Sequence, residues 1–258
     1  MTGPIHAALS IRGIEKDFGP IRAVAGVSLD IPHGQICGLT GPNGSGKSTL
    51  FDCTTGLQAP TSGQVFAGGL NITGWEMHRI VRDARVIRSF QKTVVFRAMT
   101  VEENLVLAGQ MVGFPGVPAT FGIGPRSRER TRRLRTQAGA LLELVGLSHM
   151  RHVRAGQTSF GQQKLLQFAS MLMPEPKVIL LDEPMAGVNP VLIERMMENV
   201  RAANRESGIT FVVVEHNLDA LQALCDRLVV LSRGQVIADG VPAEVVRNPQ
   251  VVEAYLAG

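Results

Sequence analysis

Apolar and polar positions alternate in short stretches through the first third of the chain. Val27, Leu29 and Ile31 stand two apart before Pro32-His33-Gly34, and Val65-Phe66 runs into a Gly68-Gly69 turn. A period of two puts the apolar side chains on one face, so these stretches predict β-strands. The apolar run Gln35-Ile36-Cys37-Gly38-Leu39-Thr40 enters a glycine-rich turn, after which Thr49-Leu50-Phe51-Asp52-Cys53 predicts a helix stopped at Gly56. Thr100 followed three residues later by Glu103 has the form of a capping box, so a helix should open there. Helical spacing resumes through Leu141, Leu142, Leu144 and Val145 and stops at Gly146. Beyond it, short apolar strands at 178–181, 211–214 and 228–231 are separated by helical stretches at 190–205 and 218–225. That alternation predicts a largely parallel sheet with helices on its faces. A helical block over 92–171 is therefore expected to interrupt an α/β core made of 1–91 and 172–258, all within one domain.

Composition narrows the class. At 258 residues, 45% hydrophobic and 19% charged, the chain can bury a large core. Its longest apolar runs, such as Val178-Ile179-Leu180-Leu181, fall far short of the roughly 18 residues that cross a bilayer. The start, Met1-Thr2-Gly3-Pro4-Ile5-His6, shows no secretory signal, and a cytoplasmic location is expected. Cys37, Cys53 and Cys225 are odd in number and lack metal-ligand spacing, which predicts reduced, buried thiols. The net charge of +4 is mild, and much of the excess sits in the arginine-rich run 126–135. That run reads as a solvated helix face rather than a nucleic-acid or lipid contact. Residues 113–125 are rich in Gly and Pro yet carry Phe114, Val117, Phe121 and Ile123, which predicts an ordered loop or a partner-contacting insert.

Candidate chemistry begins at Gly41-Pro42-Asn43-Gly44-Ser45-Gly46-Lys47-Ser48-Thr49, a glycine, four residues, then Gly-Lys-Ser. This is the P-loop spacing, in the required order of strand, loop and helix. Glycines allow the backbone N–H groups of 43–49 to turn toward phosphates at the helix N-terminus. Lys47 supplies a point charge near the β and γ phosphates of a nucleotide, and the Ser48 hydroxyl is a ligand for Mg²⁺; the loop alone fits a kinase, a GTPase or many ATPases. A dinucleotide-type Gly-x-Gly-x-x-Gly reading fails, because Gly44-Ser45-Gly46 is followed by Lys47-Ser48 and then Thr49, where the third glycine is needed. About 135 positions later a buried-type strand ends in Asp182-Glu183-Pro184. Strand carboxyl ends in such sheets face the ligand crevice. Asp182 is placed to hold Mg²⁺ or its water, and Glu183 to orient and deprotonate an attacking water.

Further segments carry a resemblance to ABC transporter ATPases. Ser159-Phe160-Gly161-Gln162-Gln163, before the apolar helical pattern of Leu165, Leu166, Phe168 and Ala169, resembles the signature motif. Locally, Ser159 and Gln162 also form a capping box. Gln91, in Arg88-Ser89-Phe90-Gln91, resembles the glutamine that couples the Mg²⁺ site to the membrane partner. His216, in Val214-Glu215-His216-Asn217, resembles the switch histidine at the γ-phosphate. Ala186-Gly187-Val188-Asn189-Pro190 resembles the D-loop, with Asn189 in place of the usual aspartate; Asn189 also reads as an N-cap before Pro190. Phe18 is either the aromatic that stacks on adenine or a core residue.

The resemblance spans nearly the whole chain. It implies a P-loop NTPase α/β core with an N-terminal antiparallel β-subdomain and an inserted helical subdomain. It also implies a head-to-tail dimer, homomeric or with a sister ATPase, in which Ser159, Gly161 and Gln162 of one subunit cap ATP on the P-loop of the other. Phe160 and Thr158 depart from the usual glycine and leucine. The aromatic Phe160, with Ile72-Thr73-Gly74, His78-Arg79, Ser89-Phe90-Gln91, the 113–125 insert, Ala186-Gly187-Val188-Asn189-Pro190 and the ending Glu253-Ala254-Tyr255-Leu256, resembles the ATPases of branched-chain amino-acid and urea importers. Such a subunit works with two transmembrane permeases, with an extracytoplasmic substrate-binding protein indirectly, at the cytoplasmic face of the membrane and without nucleic acid. The alternatives are a lipopolysaccharide-export ATPase, or a soluble ABC ATPase of DNA repair or translation.

Overall fold

The computed structural model describes residues 7–89, 93–111 and 125–256. The chain divides into two compact units, with breaks after Ser89, Pro176, Gly187 and Asn199.

The first unit opens with two long strands, β1 (Ala7–Phe18) and β2 (Ile21–Pro32), paired antiparallel. In β2 the side chains of Val27, Leu29 and Ile31 are buried and those between them exposed, as the alternation predicts. The chain then leaves this sheet as β3 (Ile36–Thr40) and enters α1 (Lys47–Thr54). It returns as β4 (Ser62–Ala67) and β5 (Leu70–Asn71), completing a four-stranded sheet in the order β2-β1-β4-β5. A short turn of helix, α2 (Met77–Arg79), continues as a π turn over Ile80–Ala84 and feeds β6 (Val86–Arg88).

The second sheet of this unit has six strands. To β3 and β6 it adds β7 (Val178–Asp182), β8 (Thr210–Val214), β9 (Arg227–Ser232) and β10 (Gln235–Gly240), in the order β10-β9-β3-β8-β7-β6. All neighbours are parallel except the β9–β10 edge pair. Every residue of β3, β7 and β8 is buried, which explains the continuous apolar runs at 36–39, 178–181 and 211–214. Leu9, Ile14 and Val65 of the first sheet share one core with Leu39, Leu180 and Val214 of the second, and with Leu50 and Phe51 of α1. Gly38 in β3 has a packing reason: a Cβ there would lie 2.9 Å from Leu228 Cδ1 and 3.1 Å from Cys225 Sγ. The three cysteines are buried and unpaired. Burial pushes the Cys37 thiol up to about 12 and the Cys53 thiol up to about 11, and raises Cys225 as well.

The second unit contains α3 (Val101–Met111), α4 (Pro125–Leu144) and α5 (Phe160–Leu172), which pack on one another around Val101, Leu105, Ala138, Leu142, Leu165 and Phe168. The expected capping box is present: Glu103 N–H donates to Thr100 Oγ1 at 3.2 Å, and Thr100 N–H to Glu103 Oε2 at 2.8 Å. The arginine-rich run lies on α4, where Arg128, Arg132 and Arg135 are exposed and line, with Arg151, a cleft of about 640 Å³. The insert expected at 113–125 lies outside the described residues but for Pro125, the first residue of α4.

The helix α6 (Pro190–Ser207) belongs to this second unit as far as Asn199. Its N-cap is Asn189, whose Oδ1 accepts from Leu192 N–H at 2.9 Å, with Pro190 at the first helical position. In the first unit, α7 (Leu218–Leu224) is capped by Asn217, whose Oδ1 accepts from Ala220 N–H at 3.0 Å. The chain closes with α8 (Pro242–Val245) and α9 (Pro249–Leu256). Among the described residues no helix is long and apolar enough to cross a membrane.

Candidate functional site

The glycine-rich turn joins the central strand β3 to α1, where strand order reverses between β9 on one side and β8 on the other. Ligands bind at such a switch point beyond the strand carboxyl ends. Two of the turn's glycines are enforced by close backbone approach. A Cβ on Gly41 (φ +145°) would meet Leu231 O at 2.0 Å, and one on Gly46 (φ +100°) would meet Ala23 O at 2.4 Å. Lys47 is buried and folded across the turn, its Nζ donating to Gly41 O at 2.8 Å, Pro42 O at 2.9 Å and Ser45 Oγ at 3.2 Å. Burial lowers its pKa, while the carboxylates of Glu183 and Asp182 act in the opposite sense. Asn43, Gly44 and Ser48 are exposed, and a cleft of about 460 Å³ opens beside Asn43, Gly44 and Ser45.

The end of β7 brings the two acids to this turn. Asp182 is 4% exposed; its Oδ2 accepts from Arg88 Nη2 at 2.7 Å, and its backbone N–H donates to Ser89 Oγ at 2.8 Å. Its other oxygen, Oδ1, is buried without a hydrogen-bond partner. Arg88 also binds Asp52 of α1. The next residue, Glu183, has φ +48°, a left-handed conformation that costs a non-glycine residue about 1–2 kcal/mol. Its N–H donates to Val214 O at 2.9 Å and its Oε1 lies 2.9 Å from His216 Nε2. Strain of this kind collects where a side chain must be aimed.

Beyond β8, Glu215 is a buried carboxylate that links both sides of the site. Its Oε1 accepts from Met185 N–H at 2.6 Å and its Oε2 from His216 N–H at 3.3 Å. Its carbonyl accepts from Thr40 Oγ1 at 2.8 Å, and the same hydroxyl lies 2.6 Å from Tyr255 OH on α9.

The structure thus brings Lys47, Asp182, Glu183 and His216 together in the first unit. In the second unit, Ser159 is the N-cap of α5, its Oγ accepting from Gln162 N–H at 3.3 Å while Ser159 N–H donates to Gln162 Oε1 at 2.8 Å. A Cβ on Gly161 would meet Leu192 Cδ2 at 2.6 Å, and Phe160 is 52% exposed with Lys164 Nζ 5.4 Å from its ring. Phe18 is 44% exposed with Lys16 Nζ 5.2 Å from its ring, so it is not a core residue. Gln91 lies outside the described residues. Sequence reasoning passed over Arg88, Asp52 and Glu215. The available signal was a charge at the end of an apolar strand, after Val86-Ile87 for Arg88 and after 211–214 for Glu215.

Residues 24–186 match the ABC transporter family, and residues 235–256 match the branched-chain amino acid ATP-binding cassette transporter family. The chain is 34% identical over 256 residues to the high-affinity branched-chain amino acid transport ATP-binding protein BraF of Pseudomonas aeruginosa, covering 99% of each. It superposes with a TM-score of 0.84 and 34% identity on the ADP conformation of an ATP-binding cassette of an ABC transporter, covering 97% of this chain and 99% of that one. A dimeric ATP-binding cassette in a post-hydrolysis state with ADP and phosphate matches at a TM-score of 0.74 and 25% identity, over 91% and 98%. The chain belongs to the ABC transporter family. Within it, the chain is an ATP-binding and ATP-hydrolysing subunit, a kind that dimerises and works with membrane permeases.

Proposed function

We propose that this ATPase drives an importer for branched-chain amino acids or a related small polar solute such as urea. The observation that carries the reading is the carboxyl-terminal segment 235–256, which matches the branched-chain family and places Tyr255 OH on Thr40, next to the P-loop. The relatives' names favour this over lipopolysaccharide export or a soluble repair or translation factor.

In this reading the N–H groups of 43–49 cradle the phosphates and Lys47 exchanges its three loop acceptors for phosphate oxygens. Phe18, exposed at the end of β1, is available to stack on adenine. The site residues also fit Mg²⁺: Asp182 Oδ1 is a buried carboxylate oxygen without a partner, and Ser48 adds a hydroxyl. Asp182, Ser48 and Gln91 would hold that ion, which when bound neutralises charge on the β and γ phosphates. Glu183 orients and deprotonates the attacking water, and His216 fixes the Glu183 carboxylate and contacts the γ-phosphate. Ser159, Gly161 and Gln162 from a second subunit, at a helix N-terminus carrying about half a positive charge, complete the γ-phosphate site. Two transmembrane permeases convert dimer closure into transport at the cytoplasmic face of the membrane, supplied by an extracytoplasmic binding protein.

The test is affinity purification of Glu183→Gln from its native membranes with ATP present. Turnover should fall by at least about a hundredfold, and two multi-span permeases of a solute importer should be recovered. Recovery of lipopolysaccharide-export subunits or of nucleic-acid proteins would reject the importer reading.

A further inference from the structure

Arg88 stands where the carboxylate of Asp182, the P-loop helix α1 and the strand β6 meet. Its side chain is 7% exposed, between Asp182 at 4% and Asp52 at 18%. One end of the guanidinium, Nη2, donates to Asp182 Oδ2 at 2.7 Å, and the other, Nη1, to Asp52 Oδ1. The Phe51 ring, 5.6 Å from Cζ, backs the guanidinium. The neighbouring Ser89 holds the backbone N–H of the same Asp182. The last residue of β6, Arg88, and the residue that follows it, Ser89, therefore grip Asp182 by its carboxylate and by its main chain. The grip leaves Oδ1 bare. A carboxylate so held can offer one oxygen to a cation without rotating.

We propose that Arg88 is a positioning residue that aims Asp182 Oδ1 and sets its affinity for the divalent cation, with Asp52 drawing off part of the guanidinium's charge. This rests on the reading of Asp182 as the metal-binding carboxylate. The physical argument has two parts that separate in experiment. Orientation by a buried two-pronged contact governs how well the bound metal is placed, and so governs turnover. Charge governs affinity: a guanidinium against one carboxylate oxygen repels a cation approaching the other. In partly buried surroundings, with Asp52 drawing off part of it, a charge at this range changes ion affinity by about three- to tenfold. Asp52 acts on the same balance with opposite sign, because neutralising it leaves Arg88 wholly to Asp182.

The test uses the full chain with a non-hydrolysable ATP analogue, titrated with Mn²⁺ and followed by electron paramagnetic resonance, alongside Mg²⁺-dependent turnover. Arg88→Gln should bind Mn²⁺ more tightly, by about three- to tenfold, yet turn over at least about tenfold more slowly at saturating Mg²⁺. Asp52→Asn should bind Mn²⁺ several-fold more weakly. A brace that merely stabilises the fold would move both variants the same way. Shifts in one direction, or none, overturn the proposal, and Asp52→Asn decides the matter should Arg88→Gln not fold. Asp182→Asn separates the two levels: loss of Mn²⁺ binding upholds Asp182 as a metal ligand, whereas unchanged binding overturns that reading and the proposal with it.

Discussion

Glu215 offers the sharpest test of how the two sides of the site are tied. Its Oε1 takes the Met185 N–H at 2.6 Å, and Met185 is 4% exposed. An amide bonded to a buried carboxylate contributes about 1.5–3 kcal/mol, and an orphaned buried donor keeps its desolvation penalty. The second contact, to His216 N–H at 3.3 Å, is long and adds little. Glu215→Ala therefore should cost about 3 kcal/mol. In a chain of this size that lowers Tm by roughly 6–12 °C. Glu215→Gln keeps an acceptor oxygen for Met185 and should cost about 1 kcal/mol, or roughly 2–4 °C. Thermal melts followed by circular dichroism, without nucleotide, measure both. Turnover should drop in the same order, because the segments carrying Glu183 and His216 are joined through this side chain. An Ala variant melting within about 2 °C of the parent would show that Met185 finds another partner and refute the reasoning. Equal losses in Ala and Gln would place the effect in the charge rather than in the acceptor.

Two further outcomes are expected. Lys47→Ala should weaken nucleotide binding by at least about tenfold, because a charge-assisted contact to phosphate is lost; equal affinity by calorimetry would reject the assignment of that lysine. Stability should fall as pH rises past about 9, because Cys37 and Cys53 ionise near their ordinary values once unfolded but are held up to about 12 and about 11 in the fold. Above the unfolded value the unfolded chain binds fewer protons, so each thiol removes about 1.4 kcal/mol per pH unit until its folded pKa is reached. Tm measured from pH 8 to 10 should therefore decline less steeply in Cys37→Ala, and an unchanged slope would exclude that thiol.

What could be read in the sequence was what local spacing encodes. The P-loop announces itself because its glycines, Lys47 and Ser48 act as one contiguous turn between β3 and α1. The strands β7, β8 and β9 were visible because central parallel strands are apolar throughout. The caps at Thr100, Ser159 and Asn189 were visible because a cap and its partner lie three residues apart. By contrast, β6 is three residues long, too short to show a period, and β5 shorter still. The basic half of α4 shows little apolar spacing before Ala138, so only its last turn was legible as core-facing. Arg88, Asp52 and Glu215 were invisible as site residues for a different reason. Their meaning lies in partners 36, 94 and 30 positions away, brought close only by strand order.

The cap on α5 has a consequence for how the signature segment can meet an anion. A serine hydroxyl has two lone pairs and a single proton. At Ser159 the helix uses a lone pair, through the N–H of Gln162, and the main-chain N–H of Ser159 is taken by the Gln162 side chain. The hydroxyl proton is not spent on the helix. Under the proposed function, Ser159 donates it in a hydrogen bond to an incoming phosphate oxygen without unfastening the first turn, so the helix end need not fray and reform with each nucleotide that arrives and leaves.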